Sequence, residues 1–169
     1  MVWNKRALNL AVATALLLTG PAAAQDPLVL PDIDHVVVRK AARTMALYSG
    51  GREVHRIAGI QLGGAPVGHK RFEGDERTPE GRYTVDYGNP DSGYHLSLHI
   101  SYPNDADRAY AEAQGRSPGG MIFIHGQPNA LPLGRIPGDW TDGCIAVSND
   151  EIEALWEAVP DGTVIDILP

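Results

Sequence analysis

Cysteine is nearly absent from this chain: Cys144 is the only one in 169 residues. One thiol excludes an internal disulfide and argues against a paired-cysteine redox protein. Basic charge is also short. Beyond residue 24 there are twelve Lys plus Arg against twenty-one Asp plus Glu, a net charge of about −9 with neutral His, and no Lys/Arg cluster offsets it. Such a surface repels nucleic acid and anionic lipid, so neither is an expected partner. Long apolar runs are missing as well. The apolar segment at residues 7–18 has twelve residues interrupted by Asn9 and Thr14, where a membrane-crossing helix needs roughly twenty. No internal repeat or low-complexity tract is present.

What is there begins with an address. Lys5 and Arg6 precede the apolar segment, Gly20 and Pro21 break it, and Ala22-Ala23-Ala24 follows. Basic residues, apolar stretch and small-residue site in that order predict a secretory signal over 1–24, with Gln25 as the mature start. The expected location is the periplasm or cell envelope. No cysteine follows the apolar segment, which closes the lipid-anchored route. The remaining 145 residues suit one domain, expected to be monomeric with no membrane span.

Gly at 19 and Pro at 13 make the chain turn-rich, which favours strands over long helices. Residues 25–34 read as a linker and 35–168 as the domain. Strand character recurs at 35–39, 44–48, 53–57, 82–87, 94–102, 121–124 and 163–168. Ser49-Gly50-Gly51-Arg52 reads as a hairpin turn. Residues 63–81 are rich in glycine, proline and charge and predict a long functional loop. A short helix is expected from Asn104 or Asp105 to about Gln114. A second begins at the capping box Ser148-Asn149-Asp150-Glu151 and carries Ile152, Leu155, Trp156 and Val159 at helical spacing.

Cys144 falls in a loop just before that second helix, after Gly143. His125 follows an apolar strand and precedes Gly126. A histidine beside a cysteine is the minimum equipment for an activated nucleophile. The same two residues also fit a buried apolar cysteine and a structural histidine. His95 and His99 would bind a metal only on a helix; on the expected strand they lie about 13 Å apart, too far for one ion.

His125, fifteen intervening residues and then Thr141-Asp142-Gly143-Cys144 resembles the signature of the L,D-transpeptidase family, the YkuD-type catalytic domain. Gly68-His69-Lys70, the run Arg77-Thr78-Pro79-Glu80-Gly81-Arg82-Tyr83, and Ser101-Tyr102-Pro103-Asn104 look like further segments of a murein transpeptidase/amidase-like branch. The resemblance implies a mainly β (α+β) fold, a single YkuD-like β-sandwich domain with two short helices. It implies Cys144 as nucleophile and His125 as general base and acid, oriented by the Gly126 carbonyl. Backbone N–H groups around Asp142, Gly143 and Cys144 would form the oxyanion hole. Thr141, Asp142, Arg135, Trp140 and Arg77 are candidate substrate-binding residues, with Arg135 over the cleft as a lid residue.

Two positions depart from the family pattern: Asp142 stands where many members have His, and Ala146 where many have Arg. The missing cation removes a partner for a substrate carboxylate. The implied function is an exported cysteine enzyme attacking the L-centre to D-centre bond of peptidoglycan stem peptides, in cell-wall cross-linking or remodelling. The acyl acceptor would be another stem or a wall-linked protein, without metal or organic cofactor. With water as acceptor the same site is an L,D-carboxypeptidase or an amidase. A wall-binding domain without turnover is the rival from another class.

Overall fold

Val36, Val37 and Val38 are buried on both faces of strand β1, His35–Arg39, as an apolar run in a central strand must be. β2, Thr44–Ser49, pairs antiparallel with β1, and β3, Arg52–Ala58, pairs antiparallel with β2. Gly50 and Gly51 join β2 to β3 at φ 58° and 75°, the left-handed pair that a two-residue hairpin turn demands. β3 is an edge strand, and its exposed Arg52, Glu53 and Arg56 discourage pairing with another chain. The computed structural model describes residues 28–131 and 134–169; the expected export segment lies outside them.

On the other side of β1 lies β8, Val164–Leu168, in parallel register. β4, Gly81–Asn89, then divides its pairing. Residues 81–84 bond to β8, and a bulge between Val85 and Tyr87 turns the rest toward β5, Ser97–Ile100. β6, Ile122–His125, and the two-residue β7, Ile145–Ala146, follow. The sheet order is β3-β2-β1-β8-β4-β5-β6-β7. Gln61, three residues past the end of β3, pairs with Ala146 on the opposite edge strand. The sheet therefore curls until its two ends meet, and the cleft forms near that junction.

Two short helices complete the domain. α1, Asp105–Ala113, is capped by Asn104 with Asp107 answering from the third position, and α2, Asn149–Ala158, by Ser148 and Glu151. α2 lies against β5 and β6, burying Ile152, Leu155 and Ala158 in the hydrophobic core. Ile152 and Leu155 each contribute about 1.5–3 kcal/mol when fully buried. The mainly β domain with two short helices is as the sequence indicates, its two halves continuous through β4. No helix among the described residues is long and apolar enough to cross a membrane.

Some boundaries move. The strand expected over 94–102 is confined to Ser97–Ile100, because His95 is held at φ 70° with its N–H bonded to Asn129 Oδ1 at 2.7 Å. His95 and His99 therefore do not share a strand face. They bond separately, to Glu153 and Asp86. Ile33 and Asp34, read as linker, are tied into the domain. Ile33 is 1% exposed and its N–H reaches the Ala158 carbonyl.

Candidate active site

His125 ends β6 between two neighbours, Ser97 on β5 and Ala146 on β7. The parallel register of β6 and β7 sets Cys144, one residue before β7, beside Phe123. Phe123 and His125 are two apart on one strand and share a face, so Cys144 and His125 project to the same side. Both line one cleft of about 530 Å³.

The imidazole is fixed by its neighbour. His125 Nδ1 lies 2.7 Å from the Gly126 carbonyl oxygen, so Nδ1 carries the proton and donates it, leaving the Nε2 lone pair for chemistry. Burial pushes the His125 pKa below its ordinary value, against the opposing pull of that carbonyl. Tyr94 and Trp140 flank the ring at centroid distances of 4.5 and 5.7 Å. Gly126 has no room for a Cβ, which would stand 2.6 Å from Asn149 Oδ1.

Cys144 is half-buried. Its Sγ accepts from the Phe123 N–H at 3.4 Å and donates to the Met121 carbonyl at 3.6 Å. Burial pushes the thiol pKa up. The Phe123 N–H and Lys70 work against this shift, and Asp142 adds to it. Both shifts favour the neutral thiol and the neutral imidazole. The thiol points to Met121 rather than to His125 and must rotate before the two can exchange a proton.

The loop carrying Cys144 is tightly specified. Thr141 Oγ1 donates to the Cys144 carbonyl at 2.7 Å and accepts from the Gly143 N–H at 3.2 Å. Gly143 sits at φ 127°, where an added Cβ would lie 2.5 Å from the Arg77 carbonyl oxygen. Of the three amides expected to face an oxyanion, that of Gly143 is already committed to Thr141. Those of Asp142 and Cys144 have no acceptor among the described residues.

Trp140, Thr141 and Asp142 line the cleft with Cys144 and His125, whereas Arg135 and Arg77 do not. Arg135 bonds to the Gly59 carbonyl and the Glu151 carboxylate. Those two partners hold the Arg135 guanidinium outside the cleft lining. Arg77 contributes backbone, its carbonyl walling Gly143 while its side chain lies beside Gly68. Among the described residues no group of three or more His, Cys, Asp or Glu could hold a metal ion.

Sequence reading missed two buried lysines that shape the loop behind Cys144. Lys70, 3% exposed, bonds to Asp75 Oδ1 at 2.9 Å and the Phe72 carbonyl at 3.1 Å. Asp75 also accepts from the N–H groups of Arg71, Phe72 and Arg77. Lys40, 2% exposed, bonds to Glu80 and to the carbonyls of Gly68 and Thr78. Lysine in a charged stretch carries no sign that it is buried.

A family model described as the L,D-transpeptidase catalytic domain, YkuD, matches residues 33–167. The chain belongs to the YkuD family. Among YkuD-fold structures, the helical cell shape determining protein Pgp2 of Campylobacter jejuni is 30% identical, with a TM-score of 0.65. The match covers 81% of this chain and 48% of Pgp2. Bd1075 of Bdellovibrio bacteriovorus is 25% identical at TM-score 0.56, over 81% of this chain and 48% of that one. YafK of Escherichia coli strain K12, whose L,D-transpeptidase name is itself provisional, is 27% identical over 77% of this chain and 48% of its own length. The chain spans about half the length of these relatives. An L,D-transpeptidase from Mycobacterium smegmatis, 15% identical at TM-score 0.52 over 80% of this chain and 58% of that one, shares the YkuD fold.

Proposed function

We propose that this YkuD domain is an exported cysteine acyltransferase acting on peptidoglycan stem peptides in the cell envelope. The observation that carries the reading is the pairing, in one cleft, of the Cys144 thiol with an imidazole whose Nε2 is left unprotonated. Rotation of the thiol away from Met121 lets His125 Nε2 take its proton. The sulfur then attacks the carbonyl of an L-centre to D-centre bond. The amides of Asp142 and Cys144 receive the developing oxyanion. His125 returns the proton to the leaving amine, the C–N bond breaks and a thioester remains. An incoming amine forms the new C–N bond, the C–S bond breaks, and His125 carries the amine's proton back to sulfur.

Water in place of the amine gives hydrolysis through the same thioester. The cleft supports this second reading, because among the described residues its lining contains no Lys or Arg to hold the carboxylate of a stem-peptide acceptor. Mass spectrometry of peptidoglycan fragments incubated with the protein and with Cys144→Ala tests both. Cysteine-dependent dimers or exchanged D-amino acids support transfer, and cysteine-dependent trimming or release of a wall-linked protein supports hydrolysis. Unchanged fragments with a folded protein, across several stem-peptide types, would contradict both and favour a wall-binding domain.

A further inference from the structure

Among the described residues the cleft lining carries one formal charge, and it is negative. Asp142 is exposed and lines the cleft two residues before Cys144. Its carboxylate has no hydrogen-bond or ion-pair partner among the described residues, unlike Asp75, Asp107, Asp139 and Asp166, which all have one. No Lys or Arg among the described residues belongs to the lining. Lys70 is the cation acting on the thiol, but it is 3% exposed and occupied by Asp75 and the Phe72 carbonyl. At Ala146, two residues after Cys144, the side chain is a fully buried methyl that brings no charge to the site. Asp142 also makes the thiol harder to ionise. A carboxylate that opposes the nucleophile and holds no structural partner is free to act on what enters the cleft.

A leaving group joined to the donor peptide can draw on that peptide's own binding energy. The acceptor must bind to the thioester on its own, so the charge of the cleft weighs most heavily on it. An α-amino acid acceptor brings a carboxylate beside its reacting amine, and this meets Asp142 with no cation to offset it. A side-chain amine of lysine type brings only a hydrocarbon stem and an ammonium.

We propose that Asp142 selects the acyl acceptor, favouring a primary amine with no adjacent carboxylate over the α-amine of a free amino acid. This inference rests on the acyl-transfer reading above and names the acceptor class for that same site. Discrimination here is mostly repulsive: the wrong acceptor is refused by like charge.

The test is competition for the thioester. The full chain is given a stem-peptide donor with either Nα-acetyl-lysine amide or D-alanine as acceptor, at one pH, and kcat/KM is measured for each. The wild-type protein should prefer the lysine derivative. Asp142→Asn should shrink that preference about tenfold, Asp142→Lys should reverse it, and Asp142→Glu should retain it. Comparing the ratio between variants cancels the two amines' own basicities. Asp142 is at the surface, so its replacement leaves the core untouched; circular dichroism checks this. A wild-type preference for D-alanine, or a ratio constant within twofold across the variants, overturns the inference while leaving acyl transfer standing. Donor left unconsumed by every protein overturns the acyl-transfer reading and the inference with it.

Discussion

His125 donates its Nδ1 proton to the carbonyl oxygen of Gly126, its own neighbour, 2.7 Å away. A bond inside the strand end holds the ring whether or not substrate is present, so the base is prepared before catalysis. Burial lowers the His125 pKa, which keeps the base form populated into mildly acidic solution. The acid limb of kcat/KM should therefore have its midpoint below about 6.5, the ordinary imidazole value. A midpoint at 7 or above would contradict this. Replacing His125 by Asn should lower turnover roughly 10²- to 10⁴-fold, the range for a general acid–base group.

The resting thiol should be neutral. Burial and Asp142 raise the Cys144 pKa against the pull of the Phe123 N–H and Lys70, and the proton points at the Met121 carbonyl. Alkylation by iodoacetamide, followed against pH without substrate, should show a midpoint above about 8.5, the value for a free cysteine. A midpoint near 6 would mean a preformed thiolate–imidazolium pair.

Gly143 should tolerate no side chain. Its φ of 127° and the 2.5 Å approach to the Arg77 carbonyl penalise alanine twice, through backbone strain of about 1–3 kcal/mol and through a clash with backbone. Gly143→Ala should lower Tm and turnover together. Gly50→Ala, at φ 58° with open space around its Cβ position, should lower Tm without the loss of turnover.

Lys70 should matter more to stability than any surface cation. Lys70→Met leaves the half-buried Asp75 without its ammonium but with its three backbone N–H donors, a loss of about 2–3 kcal/mol, below the roughly 3–5 kcal/mol of a fully buried pair. Denaturant unfolding measures the loss. Arg108→Met, which breaks an exposed pair with Asp105, should shift stability by less than about 1 kcal/mol.

Much of this arrangement was legible before the fold was known. The β2–β3 hairpin announced itself through Gly50-Gly51, and α2 through Ser148, Glu151 and its apolar spacing, because these signals are local. The His125 and Cys144 spacing pointed to one cleft, and both residues line it. β7 was not legible: Ile145–Ala146 is a strand only because β6 and Gln61 bond to it from either side. His95 was misplaced because Asn129, thirty-four residues away, captures its amide. Arg135 likewise takes its partners, Gly59 and Glu151, from positions remote in sequence. Lys40, Lys70 and the Gln61–Gln127 pair that bonds to Ile136 and Gly138 look like ordinary surface residues until tertiary contacts bury them.

The most direct test of the central claim is intact-protein mass spectrometry after rapid mixing with a stem-peptide donor and acid quench. The account predicts an added mass equal to the donor minus its leaving amine, mapped to the peptide containing Cys144, removed by an amine acceptor and absent from Cys144→Ala. Donor consumption by the Cys144→Ala variant, with no adduct on the wild-type protein, would contradict it.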